Sequence, residues 1–190
     1  MKFNNTQNEF VTKKNIGDRG IFISRSCAVV TSVLVYHIPT DKLYVLMGER
    51  GKGTPDFQGY WNMPCGYLDW DETGTEGACR EVWEETGLDL QKLMKSEKLT
   101  FNHMDQPWYV NHDSINSNRQ NVTLRFGARI TTNNDLPKLT NENCEPDEVG
   151  ELRWVDVYDV IGLPGRPKQY KCAFGHDKVL EDFMTKTSFI

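Results

Sequence analysis

The sequence has no apolar run long enough for a membrane helix, which needs about 18 to 20 residues. Its longest apolar-leaning stretch, 27–38, is interrupted by Thr31, Ser32 and His37. The first twenty residues are polar and mixed in charge, so a secretory signal is not expected. These absences predict a cytoplasmic protein without a membrane segment, and 190 residues predict a single domain.

The sequence also has few cysteines and fewer positive than negative charges. Five cysteines, an odd number without a C-x-x-C pair, argue against a disulfide scaffold or a zinc ribbon. With 22 Lys and Arg against 27 Asp and Glu the net charge is −5, which disfavours binding to duplex DNA. An acidic enzyme that acts on an anionic substrate would need metal ions to bridge the like charges.

The hydrophobic pattern predicts a mixed α/β or α+β domain over 21–190, preceded by a polar N-terminal arm at 1–20. Strands are predicted at 27–38, 43–47, 99–101, 108–110, 122–130 and 152–155. Helices are predicted at 73–86, with Thr73 and Glu76 as a capping box, and at about 177–186. The glycine-rich loop at 48–66 is long enough to suggest a functional role.

Three carboxylates share one face of the predicted helix at 73–86. At about 100° per residue, Glu81, Glu84 and Glu85 fall within a sector roughly 100° wide that otherwise holds only Gly77. Like charges this close are costly unless they are neutralised. Arg80 offsets part of the charge, and Mg²⁺ or Mn²⁺ would offset the rest, with Gly77 leaving room for metal or phosphate. Taken alone, the helix also fits a solvated acidic face.

The spacing around this helix is more specific than the helix itself. Fixed positions run in the order Gly66, Glu72, Arg80, Glu81, Val82, Glu84, Glu85, Gly87 and Leu88. They resemble the signature of the Nudix (MutT-like) hydrolase family, G-x5-E-x7-R-E-U-x-E-E-x-G-U with U aliphatic, and every position matches. Upstream, the segment at 61–64 resembles the family's W-x-x-P-G-G lead-in, with Cys65 in place of its first glycine.

The resemblance implies an α/β/α sandwich around a mixed sheet, and a Mg²⁺- or Mn²⁺-dependent pyrophosphohydrolase. Such enzymes cleave a nucleoside diphosphate linked to a group X into a nucleoside monophosphate and phospho-X. The implied metal ligands are Glu81, Glu84, Glu85 and the Gly66 carbonyl. The resemblance gives Arg80 the role of orienting the catalytic glutamates, Glu81 and Glu84 among them.

Two supporting roles are also expected within this signature at residues 66–88, which we call the box. Glu72 pairs with Arg80 or reaches the metal through water. Gly87 ends the helix as its C-cap.

The general base and the substrate contacts are less constrained. A base outside the box would come from the late acidic segment, where Glu148 is the first choice and Glu151 the second. Arg50, at the end of a predicted strand, is expected to meet a terminal phosphate. Aromatic side chains that could stack on a base are Tyr60, Trp61, Trp108 and Tyr109. The four histidines are scattered and receive no role.

Downstream markers do not select a substrate. Pro107 and Tyr109 lie 19 and 21 residues past Leu88, too far for the family's ADP-ribose and dinucleoside polyphosphate markers. ADP-ribose or dinucleotide-type substrates and nucleoside triphosphates therefore stay open. Two other functions compete: a catalytically silent nucleotide-binding sensor module, and pyrophosphate removal from RNA 5′ ends. The expected partner is a small nucleotide, and family members are often homodimers.

Overall fold

The computed structural model describes residues 9–11, 21–23, 27–69, 71–95, 99–112 and 121–187. Within these ranges the chain forms ten strands and four α-helices. The strands are β1 (Glu9–Val11), β2 (Ile21–Ile23), β3 (Cys27–His37), β4 (Lys42–Arg50), β5 (Trp61–Asn62), β6 (Cys65–Tyr67), β7 (Leu99–His103), β8 (Tyr109–Asn111), β9 (Val122–Thr132) and β10 (Val149–Asp156). The helices are α1 (Gly74–Thr86), α2 (Leu90–Lys95), α3 (Val157–Ile161) and α4 (His176–Lys186).

The main sheet is mixed. Its central path runs β10-β4-β3-β9-β7, with β5 beside β4, β6 beside β3 and β8 beside β9. The strands β3 and β9 run parallel from the pair Cys27–Val122 to the pair His37–Thr132, whereas the other pairings are antiparallel. The predicted hairpin between β3 and β4 is present. Strand β6 pairs with β3, and the chain continues from it to the start of α1.

Helices cover both faces of the sheet because β3 is apolar on both of its sides. Val29 and Val33 pack with the α1 residues Ala78 and Val82 on one face. The β3 residues between these, such as Val30, point to the opposite face and pack with side chains of β4, α3 and α4. Successive strand residues point to opposite faces, so one β-branched run fills two cores. The predicted α/β/α sandwich is confirmed.

Both ends of α1 are fixed by local hydrogen bonds. The Thr73 hydroxyl accepts from the Glu76 N–H at 3.3 Å, and the Glu76 carboxylate accepts from the Thr73 N–H at 2.8 Å. This is the predicted capping box. At the other end Gly87 adopts φ 71°, and a Cβ there would lie 2.4 Å from Cγ2 of Thr140. Glycine is therefore required at this position for its conformation and for its small size.

The structure adds elements that the pattern did not predict. The helices α2 and α3 span six and five residues, too short to show a helical period. Within the predicted N-terminal arm, Glu9–Val11 pairs with Ile21–Ile23 as a two-stranded sheet. The rest of that arm, and residues 113–120 of a predicted polar loop, lie outside the described residues. None of the helices in the described ranges has the length and apolarity to cross a membrane.

Candidate active site

The start of the site is a close contact between β6 and α1. A Cβ built on Gly66 would lie 2.2 Å from Oε1 and 2.5 Å from Oε2 of Glu81. The Glu81 carboxylate therefore occupies the space that any other residue's side chain would fill. The missing side chain of Gly66 brings a buried carboxylate directly against the backbone of β6.

Arg80 is the hub of the hydrogen bonding around this contact. Its Nη1 donates to Oε1 of Glu81 at 2.8 Å and to Oε2 of Glu84 at 2.9 Å. Its Nε and Nη2 donate to the two carboxylate oxygens of Glu72 at 3.0 and 2.7 Å, and Nη2 also donates to the Tyr67 carbonyl at 2.9 Å. Burial lowers the pKa of Arg80, but Glu72 and Glu81 more than offset this and raise it. The guanidinium is therefore a permanent, fixed cation.

Glu72 is held in turn by the backbone. Its Oε1 accepts from the Asp69 N–H at 2.6 Å, and the Asp69 carboxylate lies 3.6 Å from Nε of Arg80. A Cβ on Gly77 would lie 2.5 Å from Leu68 and 2.8 Å from Oε1 of Glu72. The expectation that Gly77 leaves room for metal or phosphate is therefore wrong. Its small size makes room for side chains of the loop before α1.

Four carboxylates repel one another in this region. Burial raises the pKa of Glu81 to about 7 against the opposing charge of Arg80, and Glu84 and Glu148 add to the rise. Burial also raises the pKa of Glu85 well above its usual value, with further contributions from Glu81 and Glu148. The pKa values of Glu84 and Glu148 are raised too, again chiefly by burial. The site therefore carries negative charge that the protein only partly neutralises.

The donor chemistry of the site fits a hard divalent cation. Six carboxylates, on Asp69, Glu72, Glu81, Glu84, Glu85 and Glu148, face the two guanidinium groups of Arg80 and Arg50. Across the described ranges no three His, Cys, Asp or Glu side chains stand ready to hold an ion. Arg80 occupies one oxygen of Glu81 and one of Glu84. The oxygen-rich, negatively charged set is the kind that Mg²⁺ and Mn²⁺ prefer.

The two candidate bases have different surroundings. Glu148 is partly buried, and its carbonyl accepts from the Gly51 N–H at 2.8 Å, which ties its loop to the end of β4. Glu151 instead lies on β10, exposed and paired with Arg153. The structure thus brings Glu148 to the box carboxylates and leaves Glu151 on the surface.

Arg50 stands at the end of β4, as predicted, and is partly engaged. Its Nε donates to the Asp56 carbonyl at 3.0 Å, and Nη2 donates to Oδ1 of Asp56 at 2.7 Å. Its positive charge opposes the rise in the pKa of both Glu85 and Glu148, so it lies within electrostatic range of them. Tyr60 lies with Asp56 in the loop between β4 and β5, and its side chain is partly exposed.

A protein-family model decides the identity of this arrangement. The model described as the NUDIX domain matches residues 29–183, which is most of the chain. The chain belongs to the Nudix family. The predicted family membership is therefore confirmed, and residues 66–88 are its Nudix box.

This Nudix chain is similar to one curated protein in sequence over a short segment, and to solved structures in fold. Phosphatase NudJ of Escherichia coli strain K12 is 58% identical over 31 residues, which are 16% of this chain and only 20% of NudJ. The ADP-ribose-bound NUDIX domain of Shewanella oneidensis NrtR has a TM-score of 0.59 at 20% identity, covering 87% of this chain and 90% of that one.

A bifunctional NMN adenylyltransferase/ADP-ribose pyrophosphatase from Francisella tularensis, solved with AMP and a Mn ion, has a TM-score of 0.58 at 18% identity. It covers 85% of this chain and 41% of that one. At 20% and 18% identity, the similarity to these two solved structures shows a shared fold only.

Trp108 lies away from the Nudix box. Its ring packs 5.3 Å from that of Phe183 of α4, within the core on the face opposite α1. The neighbouring Tyr109 lies against Arg125 and Lys186, at 4.8 Å from each cation. Both aromatic side chains thus pack against α4 and Arg125, and the role of Trp108 in stacking on a base stays a prediction.

Three residues near the site were missed by sequence reasoning. Asp69 lies in the unspecified spacer of the Nudix box, so the motif gives no signal for it. Phe57, in the loop after Arg50, and Phe174, whose ring Arg50 contacts, have ring centroids 5.0 Å apart. Phe57 sits in the glycine-rich loop already marked as functional, but nothing in the sequence connects it to a residue 117 positions later.

Proposed function

We propose that this Nudix protein is a metal-dependent pyrophosphohydrolase. It would cleave a nucleoside diphosphate linked to a group X into a nucleoside monophosphate and phospho-X. The observation that carries the proposal is the buried pair of Glu81 and Glu85 on an intact Nudix box, beside the partly buried Glu148 of the loop before β10. Arg80 and Arg50 offset the mutual repulsion of these carboxylates only in part. Such a set is costly to bury unless a cation and an anionic substrate complete it.

The groups that would hold the metal are Glu81, Glu84, Glu85 and the carbonyl of Gly66. Mg²⁺ or Mn²⁺ bound there would supply charge stabilisation at the diphosphate and a lower pKa for the attacking water. Support comes from the oxygen-only donor set and from the Mn ion in the Francisella tularensis structure of the same fold. Arg80 fixes the orientation of Glu81 and Glu84 through Nη1, and Glu72 fixes Arg80.

Two further residues would act on the reacting groups. Glu148 is proposed as the general base, because a carboxylate with a raised pKa accepts a proton from water more readily at neutral pH. Arg50 is proposed to bind a phosphate oxygen. Its Nη1 has no acceptor among the residues the structure describes, whereas Nε and Nη2 are taken by Asp56.

The proposed substrate class is ADP-ribose or a dinucleotide-type compound, with nucleoside triphosphates next. Support comes from the ADP-ribose bound by the Shewanella oneidensis domain and from the ADP-ribose pyrophosphatase in the Francisella tularensis protein. The sensor and RNA 5′-end functions remain the alternatives. Cytoplasmic location and a homodimer stay predictions.

The proposal is tested by a hydrolysis screen in Mg²⁺ and in Mn²⁺. Substrates are ADP-ribose, NADH, diadenosine polyphosphates, nucleotide sugars, nucleoside triphosphates and 5′-diphosphate RNA. Glu84→Gln and Glu85→Gln are compared with Glu181→Gln, which changes an exposed carboxylate of α4. We expect turnover of one soluble class that EDTA abolishes, and at least about a hundredfold loss in the two box variants only.

Other outcomes point elsewhere. Tight binding of one nucleotide by a folded wild-type protein without any turnover would favour the sensor. Turnover confined to RNA would favour 5′-end processing.

A further inference from the structure

Three aromatic side chains meet on the surface beside Arg50. Phe57 and Tyr60 come from the loop between β4 and β5, and Phe174 comes from the turn before α4. They are 44%, 37% and 38% exposed, respectively. The Phe57 ring packs edge-on against both others, with centroids 5.6 Å from Tyr60 and 5.0 Å from Phe174. We call these three residues the aromatic patch.

The backbone at two positions of the patch is strained. In the described ranges the non-glycine residues with positive φ are three aspartates, Asp41, Asp71 and Asp147, together with Phe57 at 52° and Phe174 at 55°. Aspartate adopts this conformation through local hydrogen bonds, whereas a bulky aromatic residue has no such compensation. Both rings also stay more than one-third exposed, so burial offsets the strain only in part. Such strain is typical of sites that present a side chain for binding.

The patch is continuous with the proposed catalytic site through Arg50. The guanidinium of Arg50 lies over the Phe174 ring, 4.8 Å from its centroid. The same guanidinium acts electrostatically on Glu85 and Glu148. Arg50 therefore contacts one ring of the aromatic patch and lies within electrostatic range of both carboxylates. A ligand that spans it would need a planar aromatic group joined to an anionic chain.

We propose that Phe57, Tyr60 and Phe174 form the subsite that stacks on the nucleobase of the substrate, with the phosphates beside Arg50. This inference rests on the proposed function and names the binding mode at that site. Three side chains suit one base, whereas a stable protein partner covers about 800 Å² of surface. Stacking of a base on aromatic rings also explains exposed rings that a folded core would have no reason to keep.

The test measures binding of nucleoside monophosphates, which are the proposed products. AMP, GMP, CMP and UMP are titrated into the full chain in Mg²⁺ by calorimetry, with ribose 5-phosphate as the base-free probe. The variant is Phe57→Leu with Phe174→Leu, which keeps an apolar side chain and the same backbone cost. Phe57→Tyr with Phe174→Tyr keeps the rings, and Tyr158→Leu removes an equally exposed aromatic ring from α3.

We expect the double leucine variant to raise the Kd of the best-bound monophosphate about tenfold or more. Binding of ribose 5-phosphate should stay unchanged, and the tyrosine variant and Tyr158→Leu should match the wild type. For a substrate found in the screen, KM should rise by the same factor with kcat within about twofold, because stacking is equal in the ground and transition states.

Several results would overturn the inference. These are equal Kd values for the wild type and the double leucine variant, equal losses for the monophosphate and ribose 5-phosphate, or no binding of any monophosphate by the wild type. A change in sedimentation without a change in Kd would show a self-association surface instead. Failure of the proposed function has a different signature, namely wild-type protein that binds a monophosphate through the patch but hydrolyses nothing in the screen.

Discussion

At the scale of single residues, one guanidinium organises most of the site. Arg80 bonds Glu72, Glu81 and Glu84 at once, and its three nitrogens point in fixed directions. Lysine offers a single ammonium and cannot reproduce this fork. The orientation of the box glutamates therefore depends on the planar shape of Arg80 as well as on its charge.

Arg80→Lys is expected to lower kcat/KM about 10- to 100-fold, the usual cost of losing a residue that orients metal ligands. The apparent metal affinity should fall with it, measured by titrating Mg²⁺ and Mn²⁺ in the hydrolysis assay. Arg153→Lys is the matched control, since Arg153 pairs with Glu151 through two nitrogens on the surface. Wild-type kcat/KM and metal affinity in Arg80→Lys would contradict this role.

Gly66→Ala tests the contact between β6 and the Glu81 carboxylate. The new methyl group would lie 2.2 Å from Oε1 of Glu81, so the carboxylate must move or β6 must shift. We expect an activity loss of at least about tenfold and a loss of roughly 1 to 3 kcal/mol in the free energy of unfolding, as for other overpacked sites. Urea unfolding and steady-state kinetics measure both.

Gly150→Ala serves as the comparison for that change, because its nearest neighbour is the movable end of the Glu49 side chain at 3.1 Å. If Gly66→Ala behaved like Gly150→Ala in both assays, the space occupied by Glu81 would not require glycine.

At the scale of elements, α1 is positioned by its own ends and by its apolar side. The capping box starts the helix at Gly74, and Gly87 ends it. Between them, Ala78, Cys79 and Val82 pack on the sheet while the glutamates face the site. The helix bounds were predictable from sequence because caps and period are local. The bounds of α2 and α3 were not predictable, because helices of six and five residues are too short to show a helical repeat of apolar residues.

Thr73→Ala is expected to lower the free energy of unfolding by about 1 kcal/mol, since it removes the side-chain acceptor of the N-cap. The catalytic constants at 25 °C should change little, because the box glutamates lie two or more turns further along. Thermal or urea unfolding measures the change. In Thr185→Ala the lost hydroxyl only bonds carbonyls of its own helix, so a smaller effect is expected. Equal stability losses would argue against the cap.

At the scale of the whole molecule, a buried histidine joins the segment before the Nudix box to α4. Nδ1 of His176 accepts from the Met63 N–H at 3.0 Å, which requires a neutral ring. Burial, together with the charges of Arg125 and Arg50, lowers the pKa of His176 to about 3 against an opposing effect of Asp177. Sequence patterns assign no role to this histidine, because its partner is 113 residues away.

His176 is expected to contribute a loss of stability as the pH falls from about 6.5 toward 3, opposite in sign to the contribution of Glu81 and Glu85, whose pKa values are raised in the folded chain. In that interval the unfolded chain binds a proton at His176 and the folded chain does not, so the free energy of unfolding rises with pH. The slope from one such group reaches roughly 1.4 kcal/mol per pH unit. Urea unfolding at several pH values measures it.

His176→Asn keeps an acceptor for the Met63 N–H but cannot titrate, so the free energy of unfolding of this variant relative to the wild type should rise by up to roughly 1.4 kcal/mol per pH unit as the pH falls from about 6.5 to about 4. Changing the exposed His112 to Asn should leave the slope as in the wild type. An unchanged slope in His176→Asn would show that His176 does not titrate differently in the folded and unfolded chains.

The sequence by itself determined the family, the sandwich and the helix that carries the carboxylates. These rest on local signals: the spacing from Gly66 to Leu88, the caps of α1, and a β-branched strand able to fill two cores. The tertiary structure alone decided which distant residues meet them. It brought Glu148 to the box while leaving Glu151 on the surface, and it filled the space beside Gly77 with Glu72. It also set Phe174 against Phe57 beside Arg50. Such contacts depend on how strands pair and loops close, and that information is spread over the whole chain instead of residing in any one segment.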